Sequence, residues 1–108
     1  MPFEIEYFHP KVLSEIESWP VDLVARYART VELLIEFGPT LKLPHSRTLG
    51  QGLFELRISG KSSIGRAMYC FVKGKRIVIV HAFVKKISQT PDTDLKLARK
   101  RMREVTDG

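Results

Sequence analysis

The sequence contains a single cysteine among its 108 residues, Cys70. One cysteine excludes an internal disulfide and any zinc site built from paired cysteines, and a reducing compartment is the simplest interpretation. No apolar run approaches the roughly 20 residues that a membrane-spanning helix needs, and the N-terminus lacks the basic and apolar regions of a secretory signal. We therefore expect one soluble cytoplasmic domain over residues 1–108, with no membrane association.

Motifs for the common enzyme chemistries are also missing. The sequence has no glycine-rich phosphate loop, no Ser/His/Asp signature and no cluster of metal ligands. Its three histidines, His9, His45 and His81, are far apart along the chain. The residues by themselves therefore support few enzyme classes, and we expect neither a metal nor a cofactor.

Positive charge is abundant but unevenly placed. The formal net charge is +6; residues 1–60 hold six Lys/Arg and eight Asp/Glu, whereas residues 61–108 hold twelve and four. A one-sided basic surface attracts polyanions. Nucleic acid is the favoured partner on this ground, and the alternatives are a solubilising face or an acidic protein partner.

Hydrophobic periodicity and turn residues predict an α+β domain in which helices and an antiparallel sheet are segregated. The helical hairpin is expected to cover one face of the sheet and to leave the other face more open. The predicted order is a strand at 3–7, helices beginning at Pro10 and Pro20, a loop at 39–52, a three-stranded antiparallel meander at 53–58, 65–72 and 77–84, and a helix at 91–105.

The longer helix before Gly38-Pro39 has a predicted apolar face. The spacing of its hydrophobic residues is that of one helical stripe. The stripe consists of Val21, Val24, Ala28, Val31 and Ile35, broadened by Leu23, Tyr27 and Leu34.

Three cations are expected to converge on the open face of the meander. Arg57 lies on its first strand and Arg66 near the start of its second, so an antiparallel pairing can bring them together. Lys86 follows the third strand. Arginine can hold phosphate oxygens through two hydrogen bonds, and lysine adds a point charge. The alternative is that each of the three is a solvated charge at a strand end.

Four further residues are candidates for chemistry or base contact. His81 is either a proton-transfer group, a role that suits histidine in general, or a half-buried histidine of the core. Glu55 is either a general base or an ion-pair partner that orients Arg57. Phe83 and Tyr69 could stack on bases, although both are more simply core residues.

The sequence resembles the RelE/HigB toxin superfamily, specifically the phage-derived branch of HigB-like toxins. The resemblance is carried by Leu49-Gly-Gln-Gly-Leu-Phe-Glu-Leu-Arg57, Gly65-Arg66-Ala-Met-Tyr-Cys-Phe and His81-Ala-Phe-Val-Lys-Lys86-Ile-Ser-Gln-Thr-Pro91. The final helix with Ala98-Arg-Lys-Arg101 follows in the expected place, and the opening strand and helices fit as well.

The resemblance implies a toxin of a type II toxin–antitoxin pair that cuts messenger RNA on the ribosome. The implied reaction needs no metal: the 2′-hydroxyl attacks the adjacent phosphorus and leaves a cyclic phosphate and a 5′-hydroxyl. Arg57, Arg66 and Lys86 match the family's basic positions, and their implied role is to stabilise the charge of the phosphorane. The family's proton-transfer groups vary, and His81 and Glu55 are the candidates here.

The resemblance also implies partners. The expected ones are the ribosome, messenger RNA and a small antitoxin, usually with a helix-turn-helix domain, encoded by the adjacent gene. Residues expected to bind RNA are Lys85, Phe83, Tyr69, Arg76, Arg99 and Arg101. The residues leave a second hypothesis open, in which the same basic face belongs to a non-catalytic module that binds RNA, DNA or an acidic partner.

Overall fold

The computed structural model describes residues 2–85 and 91–107. Three helices and a five-stranded sheet are joined in the order β1(Glu4–Tyr7), α1(Pro10–Glu17), α2(Val21–Phe37), a 3-10 turn (Gly38–Thr40), β2(Ser46–Gly50), β3(Leu53–Ser59), β4(Ile64–Val72), β5(Arg76–Lys85) and α3(Asp92–Asp107). The spatial order of the strands is β1-β5-β4-β3-β2. Among the described strands, β1 and β5 pair in parallel and the other pairs are antiparallel, so the predicted α+β class and the meander are confirmed.

Proline and glycine set the limits of the helical hairpin. Pro10 occupies the first turn of α1, and the His9 ring caps that helix by accepting the Lys11 N–H at 3.1 Å. Pro20 is the N-cap residue of α2, and the helix therefore begins at Val21, one residue later than predicted. Gly38 ends α2 with φ +53°, and a Cβ there would lie 2.3 Å from the Phe3 ring. Glycine therefore suits this position in both conformation and size.

The hairpin packs on one face of the sheet, the hairpin face. Its buried core joins helical residues to Leu56, Ile58, Tyr69, Ile77 and Ile79 of the strands. The predicted stripe of α2 is displaced: the buried residues are Leu23, Tyr27, Thr30 and Leu34, whereas Val21 is 86% exposed. The aromatic and long aliphatic side chains decide which face is buried because they remove more apolar area from water.

Strand β2 lies inside the segment predicted to be a loop. Its sequence Ser-Arg-Thr-Leu-Gly has no clear apolar alternation, but it pairs with β3 through a tight turn at Gly50-Gln51-Gly52. All three turn residues have positive φ. A strand specified by its partner and its turn leaves little signal in local hydrophobicity, which explains the wrong prediction.

Helix α3 covers part of the opposite face, the α3 face. Ala98 and Met102 pack there on Leu53, Met68 and Val80. The expectation of an open face is therefore wrong for this region, because the apolar stripe of α3 also needs burial. None of the helices within the described ranges combines the length and apolarity needed to cross a membrane.

A register shift in β5 places His81 on the α3 face. Met68 pairs with His81 and Tyr69 pairs with Ile79, which leaves Val80 as an extra residue. Ile79 packs in the hairpin core, whereas Val80 and Phe83 pack toward α3. The strict alternation of Ile79, His81 and Phe83 predicted from the sequence is interrupted, as expected at a β-bulge.

Candidate functional site

A buried carboxylate lies between two arginines on the α3 face. Glu55 is fully buried in β3; its Oε1 is 2.9 Å from Arg47 Nε and its Oε2 is 3.3 Å from Arg66 Nη1. Arg66 is also fully buried, whereas the Arg47 side chain is 35% exposed. Of the two roles considered for Glu55, the geometry fits the ion-pair partner, but the described pairs are with Arg47 and Arg66 and not with Arg57.

Two of the predicted cations are neighbours. Arg57 and Arg66 are directly opposite each other across the β3–β4 pair. Like charges in opposite positions destabilise a sheet, and the Glu55 carboxylate offsets part of that repulsion. Arg57 is partly exposed, whereas Arg66 is buried behind it. The third predicted cation, Lys86, lies outside the described residues.

Histidine 81 lies beside this pair and is held by a residue of α3. Its Nε2 is 2.7 Å from Asp94 Oδ1, and its ring stacks on Phe83 with centroids 5.5 Å apart. Phe83 is in turn the cross-strand neighbour of Arg66. A carboxylate hydrogen-bonded to one ring nitrogen fixes the orientation of the imidazole. The pattern of the sequence did not indicate Asp94, because the contact joins residues from two separate elements.

Tyr69 lies apart from this cluster. It is 1% exposed in the hairpin core, on the opposite face from Arg66. Burial raises the pKa of its phenol, and the hydroxyl forms a hydrogen bond with Ser46. Its ring stacks on Phe54. The predicted role in base stacking is not supported by this position, because no ring face is open. Phe83, at 7% exposed, also offers little surface.

Arg76 is at the far end of β5. It pairs with Val72, six residues along β4 from Arg66, which corresponds to about 20 Å. Its guanidinium donates two hydrogen bonds to Glu6, at 2.5 and 2.9 Å. This contact holds the pKa of the Glu6 carboxyl below its usual value. The structure therefore does not bring Arg76 into the cluster. Lys85 forms the end of β5, opposite Ile64.

The two predicted RNA-binding arginines of α3 fasten that helix to the sheet. Arg99 donates to the carbonyls of Leu49 and Gly50, at 2.6 and 3.1 Å. Arg101 donates to the Val80 carbonyl at 2.9 Å, and its guanidinium lies 5.1 Å from the centre of the Phe8 ring. Their positive charge contributes to the basic surface, but in this structure their hydrogen bonds are internal.

The arrangement as a whole brings Glu55, Arg57, Arg66, His81 and Phe83 to one region, together with Arg47 and Asp94, which were not among the predicted site residues. Within residues 2–85 and 91–107, no group of three or more His, Cys, Asp and Glu is arranged to hold a metal ion. What the region offers chemically is positive charge beside an oriented imidazole, which suits the binding of an anion.

Comparison with known proteins places the chain in a recognised family and fold. The sequence model described as "Phage derived protein Gp49-like (DUF891)" matches residues 14–103. The fold is similar to the crystal structure of the archaeal RelE-RelB complex from Pyrococcus horikoshii OT3, with a TM-score of 0.52 and 17% sequence identity over 83% of this chain and 100% of that chain. No curated protein sequence matches this chain.

Proposed function

The chain belongs to the Gp49-like family of phage-derived proteins, and we propose that it is the toxin of a toxin–antitoxin pair. Three independent observations support this function. The fold is similar to a RelE chain described together with RelB, the sequence motifs resemble the RelE/HigB superfamily, and the charge is concentrated in the C-terminal half. The proposed cellular partner is a small antitoxin encoded by the adjacent gene, with a helix-turn-helix domain.

We propose further that the toxin cleaves messenger RNA on the ribosome by attack of a 2′-hydroxyl. The 2′-oxygen forms a bond to the adjacent phosphorus, the bond to the 5′-oxygen breaks, and the products are a 2′,3′-cyclic phosphate and a 5′-hydroxyl. One proton leaves the 2′-oxygen and one is delivered to the 5′-oxygen. His81, oriented by Asp94, is the candidate for one of these transfers.

The observation that carries this proposal is the Arg57–Arg66 pair on neighbouring strands. Arg57 is the partly exposed member of the pair, so we assign it the contact with the phosphate. Lys86, which was predicted from the sequence, is proposed as the second cation that contacts the phosphate. Arg66 is buried against Glu55. We propose that it positions the neighbouring part of β3 and β4 and adds to the local positive potential. Positive charge placed where the phosphorane develops is commonly the largest electrostatic contribution to catalysis.

Growth and primer extension test the proposal together. Induction of the wild-type chain should arrest growth and produce discrete cuts within codons of translated messages. Arg57→Gln should reduce the cuts by roughly 100-fold, the usual loss for one stabilising group. Lys73→Gln removes an exposed cation from the β4–β5 turn and is the matched control. Full toxicity of the Arg57/Arg66/Lys86 triple alanine variant would refute the assigned site.

The complete burial of Arg66 and Glu55 favours a second candidate, a non-catalytic module that binds RNA, DNA or an acidic partner. Such a module would use its basic face for affinity and would need no exposed catalytic group. Primer extension separates the two candidates, because discrete cuts are expected only from the nuclease. Salt dependence does not separate them, since both rely on contacts with anions.

A further inference from the structure

A groove lies between α2 and the end of β3, and it shares one residue, Arg57, with the cluster described above. Its volume is about 630 Å³, and its lining includes Arg26, Arg29, Arg57, His45 and Asp22. The volume is within the roughly 300–1,000 Å³ range of small-ligand sites. Sequence patterns did not indicate this groove, because its arginines come from elements far apart in the chain.

The groove exists because β2 is shorter than β3. Strand β2 begins at Ser46, which is opposite Leu56 of β3. Just before this strand, the His45 carbonyl accepts the Arg57 N–H at 2.8 Å, and this is the last backbone hydrogen bond between the two segments. Within the part of the chain that the structure describes, the edge of β3 beyond this point has no neighbouring strand, since β2 is the last strand of the sheet on that side. Helix α2 packs on β3, and its outward side forms the opposite wall.

Five arginines outside the groove have internal partners. Arg47, Arg66, Arg76, Arg99 and Arg101 all contact a carboxylate or a backbone carbonyl. Across residues 2–85 and 91–107, by contrast, the structure shows no ion pair for Arg26, Arg29 or Arg57. Three arginines thus surround one groove with their charges unneutralised.

Among the described residues that line the groove, the one carboxylate already accepts a hydrogen bond. Asp22 Oδ2 accepts the N–H of Lys61 at 3.0 Å, near the start of α2. Three arginines against one carboxylate give the lining of the groove a net positive charge. Guanidinium groups bind phosphate oxygens in a planar, two-bond geometry that lysine cannot reproduce.

We propose that this groove binds the sugar–phosphate backbone of the RNA strand where it continues beyond the candidate site. Arg57 belongs to both places, since it is opposite Arg66 and also lines the groove. Apart from His45, the lining has no aromatic side chain on which a base could stack. Recognition is therefore of phosphate rather than base, and it contributes affinity and strand direction without sequence preference. This inference rests on the proposed RNA substrate.

Binding of a non-cleavable RNA tests the groove independently of catalysis. The probe is a fluorescent 2′-O-methyl single-stranded RNA of about ten nucleotides, which has no free 2′-hydroxyl to attack; its affinity is measured by anisotropy over a series of salt concentrations. For the double variant Arg26→Gln/Arg29→Gln we expect about tenfold weaker binding, and a salt slope less steep by about one unit.

The matched control is Lys100→Gln/Arg103→Gln, which removes two exposed cations at the same spacing from α3. It should change the affinity less than twofold. Equal losses in the two double variants would indicate net charge alone and would overturn the proposal. Unchanged RNA affinity in Arg26→Gln/Arg29→Gln would also overturn the proposal. This holds even if the same variant binds an acidic antitoxin more weakly, because the groove would then serve the antitoxin and not RNA. A wild-type chain that binds the probe through Arg26 and Arg29 but makes no cuts would refute the nuclease and leave the groove supported.

Discussion

The two faces of the sheet are both covered, but by residues of different character. On the hairpin face, Leu23 and Leu34 of α2 pack on Leu56, Ile58 and Ile79, and the buried polar groups are few. On the α3 face, apolar packing at one end gives way to a buried ion pair and an oriented histidine at the other.

This difference indicates which face carries function. Apolar packing stabilises a fold at no desolvation cost to charged groups, whereas a buried ion pair contributes little net stability. A contribution to stability alone therefore does not explain why Glu55 and Arg66 are buried here. Residues that depart from the best local packing are expected where a protein binds or reacts.

The largest expected effect comes from breaking the buried ion pair. Glu55→Gln should lower the free energy of unfolding by about 3–5 kcal/mol, because it leaves Arg66 buried opposite a neutral group. Urea denaturation measures the change, with Glu17→Gln on the exposed side of α1 as the control. The double variant Glu55→Leu/Arg66→Met should recover most of the loss. A double variant as unstable as the single one would show that the pair supports the fold.

A smaller loss is expected on the hairpin face. Leu34→Ala truncates a fully buried side chain and should cost about 3 kcal/mol through lost transfer free energy and the remaining cavity. Leu43→Ala, at a side chain that is 64% exposed, should change stability by less than about 0.5 kcal/mol. Thermal unfolding compares the two. Similar values would contradict the view that this face is the main apolar core.

The smallest expected effect concerns Cys70 on the α3 face. Burial raises the pKa of its thiol to about 11. Because the thiolate is the reactive form, the native protein should react with a thiol reagent at pH 8 at a small fraction of the rate in urea. Lys73→Cys in a Cys70→Ala background supplies an exposed thiol as the control. Rapid labelling of native Cys70 would show that α3 leaves the sheet frequently.

Much of the fold could be predicted because its signals are local. The alternation at 53–58 predicted β3, Pro10 predicted the start of α1, and Gly38-Pro39 predicted the end of α2. Strand β2 and the shift at Val80 could not be predicted, because both depend on the partner strand and not on neighbouring residues.

The candidate site shows the same division. Alternation placed Arg57 and Arg66 on one face, and antiparallel pairing made them neighbours as expected. The burial of Arg66 and the Asp94 contact of His81 could not be anticipated. Both depend on contacts between separate elements, which the periodicity of a single element does not encode.

The amino-acid order alone determined the type and approximate limits of most elements, the basic bias of the second half and the face of the sheet on which the residues of β3 and β4 lie, since these follow from backbone geometry and short-range periodicity. Tertiary packing decided which charges are enclosed, which arginines are bound to carbonyls or carboxylates, and which three line the groove beside α2. The physical reason is that burial and charge pairing depend on contacts between residues distant in sequence, and no local pattern records those contacts.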